Sequence, residues 1–470
     1  MTSSSQIPRV AWLRALILVV VLNSIFFVLL GLAAKLPGTA FNARVRDAFA
    51  VGALNRDVDY AFFDSRIGVH QYTDCLILQL LINSENDWVR RALGPKVYFQ
   101  QNYLHACDTL FRLAHDSRAS ETLDSFRYTR YWHGYYPTSA LLLSWFDLQT
   151  VRMILKTALY LALLTLPFAA GLRDGATFFL ALSITIAGLF FWGVPYYGQS
   201  LSHGLGDTVV IAGIALFLLL RRWTSRPSGI ILYSAAFGAS VTFVDFLMGL
   251  LPIAGSYLFA TAFLVTRQKS DPKPYDASLK SAAMALISFA MASLLTVLIK
   301  QALAVILVGP EAVQAFTGSL ASYSAARDIG ANRISLIYQA FEKMIFTSSD
   351  VLTHGNLGAA HVLLAATGLA WVAATLLACI NRRDRHAAMQ LTAFLLALSP
   401  TAMWVGILPN HTIEHSFFIS RILVIPISLG WTALLCQMLA AKNRVTVGTQ
   451  NERAPVEDKR VGSKEIDIAS

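Results

Sequence analysis

Long apolar stretches without charge alternate along the chain with short polar segments. The stretch from Ala15 to Ala34 is the clearest, and a helix of about 20 apolar residues is long enough to cross the hydrocarbon core of a bilayer. The predicted membrane helices are residues 15–34, 152–172, 175–194, 205–220, 229–246, 248–266, 281–308, 358–380, 388–408 and 421–441. The pattern predicts an all-α fold, a polytopic transmembrane helical bundle of about ten membrane helices.

The first apolar stretch has features of both a signal peptide and an anchor. Arg9 and Arg14 precede it, and the residues from Leu32 to Ala34 are similar to a cleavage site. Because the apolar run is longer than a typical signal core, we interpret it as a membrane anchor.

Positive charge is concentrated in alternate short loops. The basic residues of these loops are Arg173, Arg221, Arg222, Arg226, Arg267, Lys269, Lys273, Lys280, Arg382, Arg383, Arg385, Lys442 and Arg444. Cytoplasmic loops carry such an excess, which predicts that both termini are cytoplasmic. The chain is 55% hydrophobic and 14% charged, which argues against a soluble enzyme. Its net charge of +10 therefore reports membrane topology, and no nucleic-acid partner is expected.

This topology leaves two long loops on the extracytoplasmic side, at about residues 36–150 and 309–357. Residues 1–445 then form one membrane-embedded domain. Residues 446–470 are polar and charged, which predicts a disordered cytoplasmic tail.

The first loop contains an amphipathic stretch at residues 76–82 and an aromatic stretch at 128–136. Both patterns are typical of helices that lie along the membrane interface, so we expect interfacial helices in this loop. The second loop has a similar apolar period at residues 334–341.

The four cysteines fall into two pairs. Cys379 and Cys436 lie in apolar stretches, where a thiol behaves as a small hydrophobic group. Cys75 and Cys107 share the first loop, where a disulfide can form. Since two cysteines do not make a disulfide framework, the sequence leaves open whether Cys75 and Cys107 are bridged.

Ionisable residues near the predicted helix ends gather on the extracytoplasmic side, and such residues usually face a partner, a cavity or a site. The candidates for a catalytic carboxylate are Asp64 and Asp74 in the first loop. Asp74 stands at the start of an apolar helical stretch. It is either a helix N-cap or a general base that accepts the proton of an acceptor hydroxyl. The choice between Asp64 and Asp74 stays open.

Side chains suited to an anionic ligand occur in the same loop and beside a later helix. Arg130 and His133 stand in the aromatic segment 127–137, where an interfacial belt accounts for the tyrosines without requiring these two residues. For Arg130 the belt and an anionic head group are equal alternatives. His203 and Asp207, spaced i, i+4, are candidates for a hydrogen-bonded pair, although a charge favoured by the helix dipole is the simpler explanation for Asp207.

The last candidate cluster lies between two predicted membrane helices and contains His411, His415 and Arg421. Arg421 begins a helix on the extracytoplasmic side, against the positive-inside rule, so an anionic group should compensate its charge. Glu414 is the structural alternative. We favour the phosphate or diphosphate of a lipid, because both an arginine and a helix N-terminus suit phosphate.

Residues 411–415 also match the H-x-x-E-H pattern of zinc proteases. The loop is short and no third ligand follows, so a zinc protease is not expected. No cofactor is required, although these side chains can bind a divalent metal.

Three short motifs accompany the predicted topology of one helix, a large outer loop and many further helices. The motifs are Tyr72 to Asp74, Arg130 to Tyr135, and His411 with His415 and Arg421. In these features the chain resembles the GT-C superfamily of integral membrane glycosyltransferases. The resemblance implies a polyprenyl-phosphate-linked sugar as donor, Asp74 as general base, and Arg130 and Arg421 holding the donor phosphate with support from the histidines. Many members have adjacent acids in the first loop, which this chain lacks.

The expected function is an inverting transfer of sugar from a polyprenyl-phosphate carrier to a glycan, glycolipid or protein at the bacterial inner membrane. A lipid-linked donor follows from sidedness, because nucleotide sugars are made in the cytoplasm and the candidate site faces away from it. A transporter or flippase for a lipid-linked saccharide is the alternative, and it would need polar residues at the bilayer midplane, such as Lys300. An O-antigen-type polymerase or ligase is a further alternative, which need not use a carboxylate base.

Overall fold

The computed structural model describes residues 6–57, 71–83, 85–100, 105–171, 175–244, 249–266, 274–324, 332–353, 357–380 and 385–452. The α-helices are α1 (Gln6–Ala34), α2 (Gly38–Ala50), α3 (Gln71–Ile82), α4 (Trp88–Leu93), α5 (Ala106–His115), α6 (Ala119–Thr122), α7 (Tyr135–Trp145), α8 (Leu148–Ala170), α9 (Gly175–Phe191), α10 (Val194–Tyr197), α11 (His203–Leu219), α12 (Arg221–Thr224), α13 (Pro227–Val244), α14 (Leu250–Thr266), α15 (Pro274–Leu307), α16 (Glu311–Ser324), α17 (Arg333–Thr353), α18 (Leu357–Ile380), α19 (Arg385–Ala397), α20 (Ser399–Ile407), α21 (Pro409–Glu414), α22 (Ser416–Ile419) and α23 (Val424–Glu452). The other elements are a 3-10 helix (Ser420–Leu423) and the strands β1 (Lys96–Phe99) and β2 (Asp124–Arg127).

Seven helices in the described part of the chain are long and apolar enough to cross a membrane. Their spans are Arg9–Ala34, Leu148–Ala170, Pro227–Val244, Asp276–Leu307, Val362–Ile380, Ala388–Ile407 and Ser420–Ala441. Shorter apolar helices at Gly175–Phe190, His203–Leu219 and Leu250–Thr266 coincide with predicted membrane segments, but each is shorter than the roughly 20 residues that a hydrocarbon core needs. The all-α fold is confirmed, with seven helices in the described residues that are long and apolar enough to cross a membrane, and the count of about ten remains a prediction.

Helix α14 lies at the centre of the bundle, because nearly every residue from Leu250 to Val265 is buried. A helix that is apolar on all faces fits such a position. It packs against α11, α13, α15 and α20, while α13 also packs against α1. Leu13 and Ile17 on α1 are more than half exposed, so one face of this helix is an apolar outer surface, as expected for contact with lipid.

The residues between α1 and α8 form a small folded unit around α3. Helix α3 packs against α2, α5, α7 and β1, and β1 pairs antiparallel with β2 so that Lys96 faces Arg127. A disulfide joins Cys75 on α3 to Cys107 on α5. The sequence left this pairing open, and the fold brings together the two cysteines, which are separated by 32 positions.

The two predicted interfacial segments are also buried. Helix α3 is covered by its neighbours, and nine of its residues are buried. In the aromatic segment, Trp132 and Tyr136 are buried, and Trp132 Nε1 donates to the Thr296 carbonyl at 3.0 Å. An interfacial aromatic belt does not describe this segment, since tertiary packing encloses its largest rings.

The C-terminal helix α23 continues to Glu452 and so passes residue 446, where the predicted tail begins. Residues 453–470 lie outside the described residues.

Candidate functional site

The carboxylate of Asp74 is fully buried in the first turn of α3. Its Oδ2 accepts from Arg152 Nε at 3.0 Å and Nη2 at 2.7 Å. Its Oδ1 accepts from Ser200 Oγ at 3.1 Å and the Leu201 amide at 2.8 Å. These partners lie on α8 and on the turn before α11, so the N-cap interpretation is wrong. The carboxylate instead fixes α3 to the membrane helices, and four donors already occupy its oxygens.

Arg421 lies in the 3-10 helix before α23 and is only 2% exposed. Its Nη1 donates to both oxygens of Asp207, at 2.5 and 2.6 Å, and its Nη2 lies 3.2 Å from His203 Nδ1. The guanidinium also lies over the Tyr197 ring, 5.2 Å from its centroid. The carboxylate that pairs with Arg421 is Asp207 and not Glu414, the partner considered from the sequence. Asp207 reaches Arg421 because α11 and the 3-10 helix meet inside the bundle.

A single segment connects these two ion pairs. Ser200 bonds Asp74, and three residues later His203 approaches Arg421. Ser202 lies between them, with its Oγ 3.4 Å from that of Ser200. We call the two ion pairs Asp74–Arg152 and Asp207–Arg421 the paired cluster. In it each buried positive charge has a buried negative partner, which is the condition under which ions persist in an apolar interior.

A second group, which we call the aromatic cluster, contains Tyr128, Arg130, Tyr323, His411 and His415. Arg130 Nη1 donates to Tyr323 Oη at 3.1 Å, and its guanidinium lies 5.7 Å from the centroid of the Tyr128 ring. The rings of Tyr323 and His411 are 4.4 Å apart, as are those of His411 and His415. The fold thus joins the first loop, α16 and α21, which are far apart in sequence.

Arg130 is half-buried, and no carboxylate among the described residues forms an ion pair with it. Its neighbours are phenol and imidazole groups. Among the described residues this guanidinium donates only to Tyr323, and a guanidinium beside aromatic rings suits a phosphate group, while the rings suit the face of a sugar. The aromatic cluster is therefore the part of the molecule best equipped to bind an anion.

Burial keeps two histidines near Arg130, His133 and His415, in their neutral form at physiological pH by lowering their pKa. Burial lowers the pKa of His415 to about 4, and the charge of Arg130 lowers it further against the bond to the His411 carbonyl. Burial lowers the pKa of His133 to about 3, with contributions from Lys300 and Arg130. Neutral imidazoles accept or donate hydrogen bonds without adding charge, so His133 and His415 add no positive charge beside Arg130.

His133 holds the backbone of the aromatic cluster at Tyr128. Its Nε2 lies 2.7 Å from the Tyr128 carbonyl and its Nδ1 2.7 Å from Tyr135 Oη. A carbonyl only accepts, so Nε2 carries the proton and Nδ1 accepts from the tyrosine. Both ring nitrogens are thus engaged with the protein. His133 has a positive φ of 55°, and Gly134 follows because a Cβ there would meet the Phe243 carbonyl oxygen at 2.5 Å.

Helix α15 holds the backbone of the Arg130 segment. Lys300 is buried and donates to the carbonyls of Leu93, at 2.9 Å, and of Thr129. Gln301 Nε2 donates to the Arg130 carbonyl at 2.8 Å. Lys300, the midplane residue considered for a transporter, is therefore a tether for this segment.

The structure brings most of the predicted site residues into these two clusters. His203, Asp207 and Arg421 meet in one, and Arg130, His411 and His415 meet in the other. Asp64 lies outside the described residues. Sequence reasoning missed Arg152 and Tyr323. Arg152 can be found from the sequence, since it is a charged residue at the first position of the predicted membrane helix 152–172, whereas nothing in the sequence singles out Tyr323.

No group of three or more His, Cys, Asp or Glu side chains that could hold a metal ion occurs in the described parts of the chain. No protein-family model, curated protein or solved structure matches the chain.

Proposed function

We propose that the protein transfers a sugar from a polyprenyl-phosphate-linked donor to a cell-envelope acceptor, with the donor phosphate bound at Arg130. The observation that carries this proposal is the contrast among three arginines. Arg152 and Arg421 are each neutralised by a buried carboxylate, whereas Arg130 has no such partner among the described residues. An arginine held half-buried without a carboxylate is suited to an anion supplied from outside the protein.

The reaction requires an acceptor hydroxyl to attack the anomeric carbon of the donor sugar. The new glycosidic bond forms as the bond to the phosphate oxygen breaks, and the hydroxyl proton passes to a base. The polyprenyl phosphate leaves with an additional negative charge. Arg130 and the Tyr323 hydroxyl stabilise that charge, while the aromatic rings hold the sugar.

Two carboxylates are proposed for the base, and their surroundings give them different expected roles. The oxygens of Asp74 are occupied by Arg152, Ser200 and Leu201, so we assign Asp74 a positioning role on α3. Asp64 precedes α3 in the sequence and is the remaining candidate for the base. Arg421, whose charge Asp207 balances, positions α11 against the end of α22.

An extracytoplasmic site is part of the proposal. The alternation of basic loops supports it, because the segments that carry Arg130, Tyr323 and His411 then lie on the same side of the membrane. The disulfide between Cys75 and Cys107 also supports it, since disulfides persist in oxidising compartments. A bacterial inner membrane with both termini in the cytoplasm fits this arrangement.

The proposal is tested by measuring sugar transfer from a synthetic polyprenyl-phosphate sugar with the purified full-length protein. Arg130→Gln should lower transfer by about ten- to a hundredfold, the value of one or two hydrogen bonds to a charged group. Arg90→Gln, at an exposed position, is the matched control and should retain activity. Equal activity of the Arg130→Gln variant and the control would overturn the proposal.

Separate Asp64→Asn and Asp74→Asn variants distinguish base from positioning residue. Loss of transfer with unchanged thermal stability is expected for Asp64→Asn. For Asp74→Asn we expect a lower melting temperature, because Arg152 loses its partner. Retained transfer in both variants would favour the polymerase or ligase alternative, which needs no carboxylate base.

A further inference from the structure

An apolar groove of about 270 Å³ lies between α1, α13 and α15. Trp12 and Val19 line it from α1, Ala235 from α13, and residues 288–298 from α15. The Ser288 hydroxyl in the lining donates to the Ile231 carbonyl at 2.7 Å, so it is not available to a ligand. Leu294 and Leu298 are more than half exposed, which shows that the groove opens outward from the bundle.

The groove follows a face of α15 that leads to Arg130. Met291, Leu294 and Leu298 are followed on the same face by Gln301, since steps of three and four residues return to one side of a helix. Gln301 holds the Arg130 carbonyl at 2.8 Å. At 1.5 Å per residue, the groove extends for about 15 Å along α15 and ends about one turn below Gln301.

The position of this groove relative to the aromatic cluster is fixed by two further bonds. Thr296 lies between Leu294 and Leu298 and accepts at its carbonyl from Trp132 Nε1, two residues after Arg130. Its hydroxyl accepts from Asn23 Nδ2 on α1 at 3.2 Å. The walls of the groove and the segment that carries Arg130 are thus held in one arrangement.

We infer that this groove holds the hydrocarbon chain of the lipid whose phosphate binds at Arg130. The inference rests on the proposed function and adds the path of the chain, from the aromatic cluster along α15 towards the predicted cytoplasmic side. An amphiphile needs a charged site and an apolar path in this order. The groove is lined almost entirely by apolar side chains and opens outward along α15, which suits a hydrocarbon chain. The occupant we assign is the single-chain polyprenyl phosphate of the proposed function.

The groove should contribute to lipid binding through the fit of its walls to the chain. Lipid tails are as apolar as leucine, so moving a chain from the bilayer into the groove gains packing but little hydrophobic free energy. Filling the groove should thus weaken binding by about five- to tenfold, without abolishing it.

The test uses Leu294→Trp and Leu298→Trp, whose outward exposure lets the larger ring fit without displacing the core. Leu369→Trp is the matched control, because Leu369 is 69% exposed on α18, away from the groove. Binding of undecaprenyl phosphate and of the short geranyl phosphate is measured with the full-length protein in nanodiscs. We expect both groove variants to weaken undecaprenyl phosphate binding by about fivefold or more, with geranyl phosphate binding unchanged. The control should bind both lipids normally.

The possible outcomes separate the groove from the phosphate site. If geranyl phosphate binding depends on Arg130 but neither groove variant changes undecaprenyl phosphate binding, the groove assignment is wrong and the proposed function stands. If neither lipid phosphate shows binding that Arg130→Gln weakens, the proposed function itself fails. If dioleoyl phosphatidate competes as well as undecaprenyl phosphate, the ligand is an ordinary phospholipid and the polyprenyl assignment is overturned.

Discussion

The paired cluster and the aromatic cluster surround their arginines in opposite ways, since Arg152 and Arg421 are buried and Arg130 is half-buried. In the paired cluster, Arg152 and Arg421 each meet a carboxylate that is itself buried. In the aromatic cluster, Arg130 meets a phenol and an aromatic face. A buried charge is costly unless it is compensated, so the first arrangement is complete within the protein and the second gains from an external anion.

This difference separates structural from binding roles among residues that look alike in sequence. Arg130 and Arg421 are both arginines close to aromatic residues and histidines, and both were candidates for holding phosphate. Arg421 Nη1 donates to both oxygens of Asp207 and Nη2 faces His203, so a phosphate could engage this side of Arg421 only by displacing these partners. Substitutions in the paired cluster should therefore lower the stability of the protein. Substitutions in the aromatic cluster should lower its affinity for the ligand.

The largest expected effect of a single substitution comes from breaking the buried pair with Asp207→Asn. This change leaves Arg421 buried without a compensating charge, which should lower the free energy of unfolding by about 3–5 kcal/mol. Thermal unfolding of the detergent-solubilised protein, followed by tryptophan fluorescence, measures the loss. Adding Arg421→Met to this variant removes the unpaired buried charge, so the double variant should recover part of the lost stability.

The control for this variant is Asp87→Asn, which alters the exposed pair between Asp87 and Arg90. Those two groups are 3.3 Å apart and nearly half exposed. An exposed pair contributes less than about 1 kcal/mol, and asparagine preserves the cap of α4 that Asp87 provides. If Asp207→Asn proves no more destabilising than this control, the distinction between the two clusters is lost.

The second prediction concerns low pH, which should destabilise the protein through His415 in the aromatic cluster and His133 next to it. His133 and His415 have pKa values lowered to about 3 and about 4, while an unfolded histidine binds a proton near 6.5. Between these values the unfolded chain binds more protons, so stability is full above about pH 6.5 and falls as the pH decreases towards 4. The loss by pH 4 should be about 3 kcal/mol for each of the two histidines, or about 6 kcal/mol together.

Melting temperatures measured from pH 7.5 to 4 check this expectation. A His415→Gln variant should show a shallower decline than the unchanged protein, because one of the two groups no longer titrates. His115→Gln, at an exposed position on α5, should keep the full decline. Parallel declines in all three proteins would show that the histidines of the cluster do not cause the acid sensitivity.

The sequence predicts the helical architecture well because apolar length and loop charge are local signals. The same local reasoning locates Arg421 as a charge that needs compensation, and the structure confirms that need. It could not identify Asp207 as the partner, since 214 residues separate the two and only the packing of α11 joins them. Asp74 shows the same limit, because Arg152 and Ser200 approach it from elements that no motif connects.

The aromatic segment shows why burial is harder to predict than composition. Tyrosines and tryptophans near a membrane helix are typical of an interface, yet Trp132 is bonded to Thr296 on α15 and lies inside the protein. Tyr323 illustrates the complementary failure. It contributes a hydroxyl to Arg130 from α16, whose sequence contains no motif, so only the tertiary structure reveals it.

The smallest and most discriminating prediction is Tyr323→Phe. The change removes the hydroxyl that accepts from Arg130 and keeps the ring that packs against His411. Stability should hardly change, because Arg130 is half-buried and water can replace the lost acceptor. Affinity for a lipid phosphate should fall by about fivefold, close to 1 kcal/mol, if the hydroxyl orients Arg130 towards its ligand. Tyr338→Phe, at an exposed position on α17, is the matched control and should leave binding unchanged. Because the variant keeps the Arg130 charge, tighter instead of weaker binding would mean that Tyr323 competes with the phosphate for the guanidinium and does not orient it.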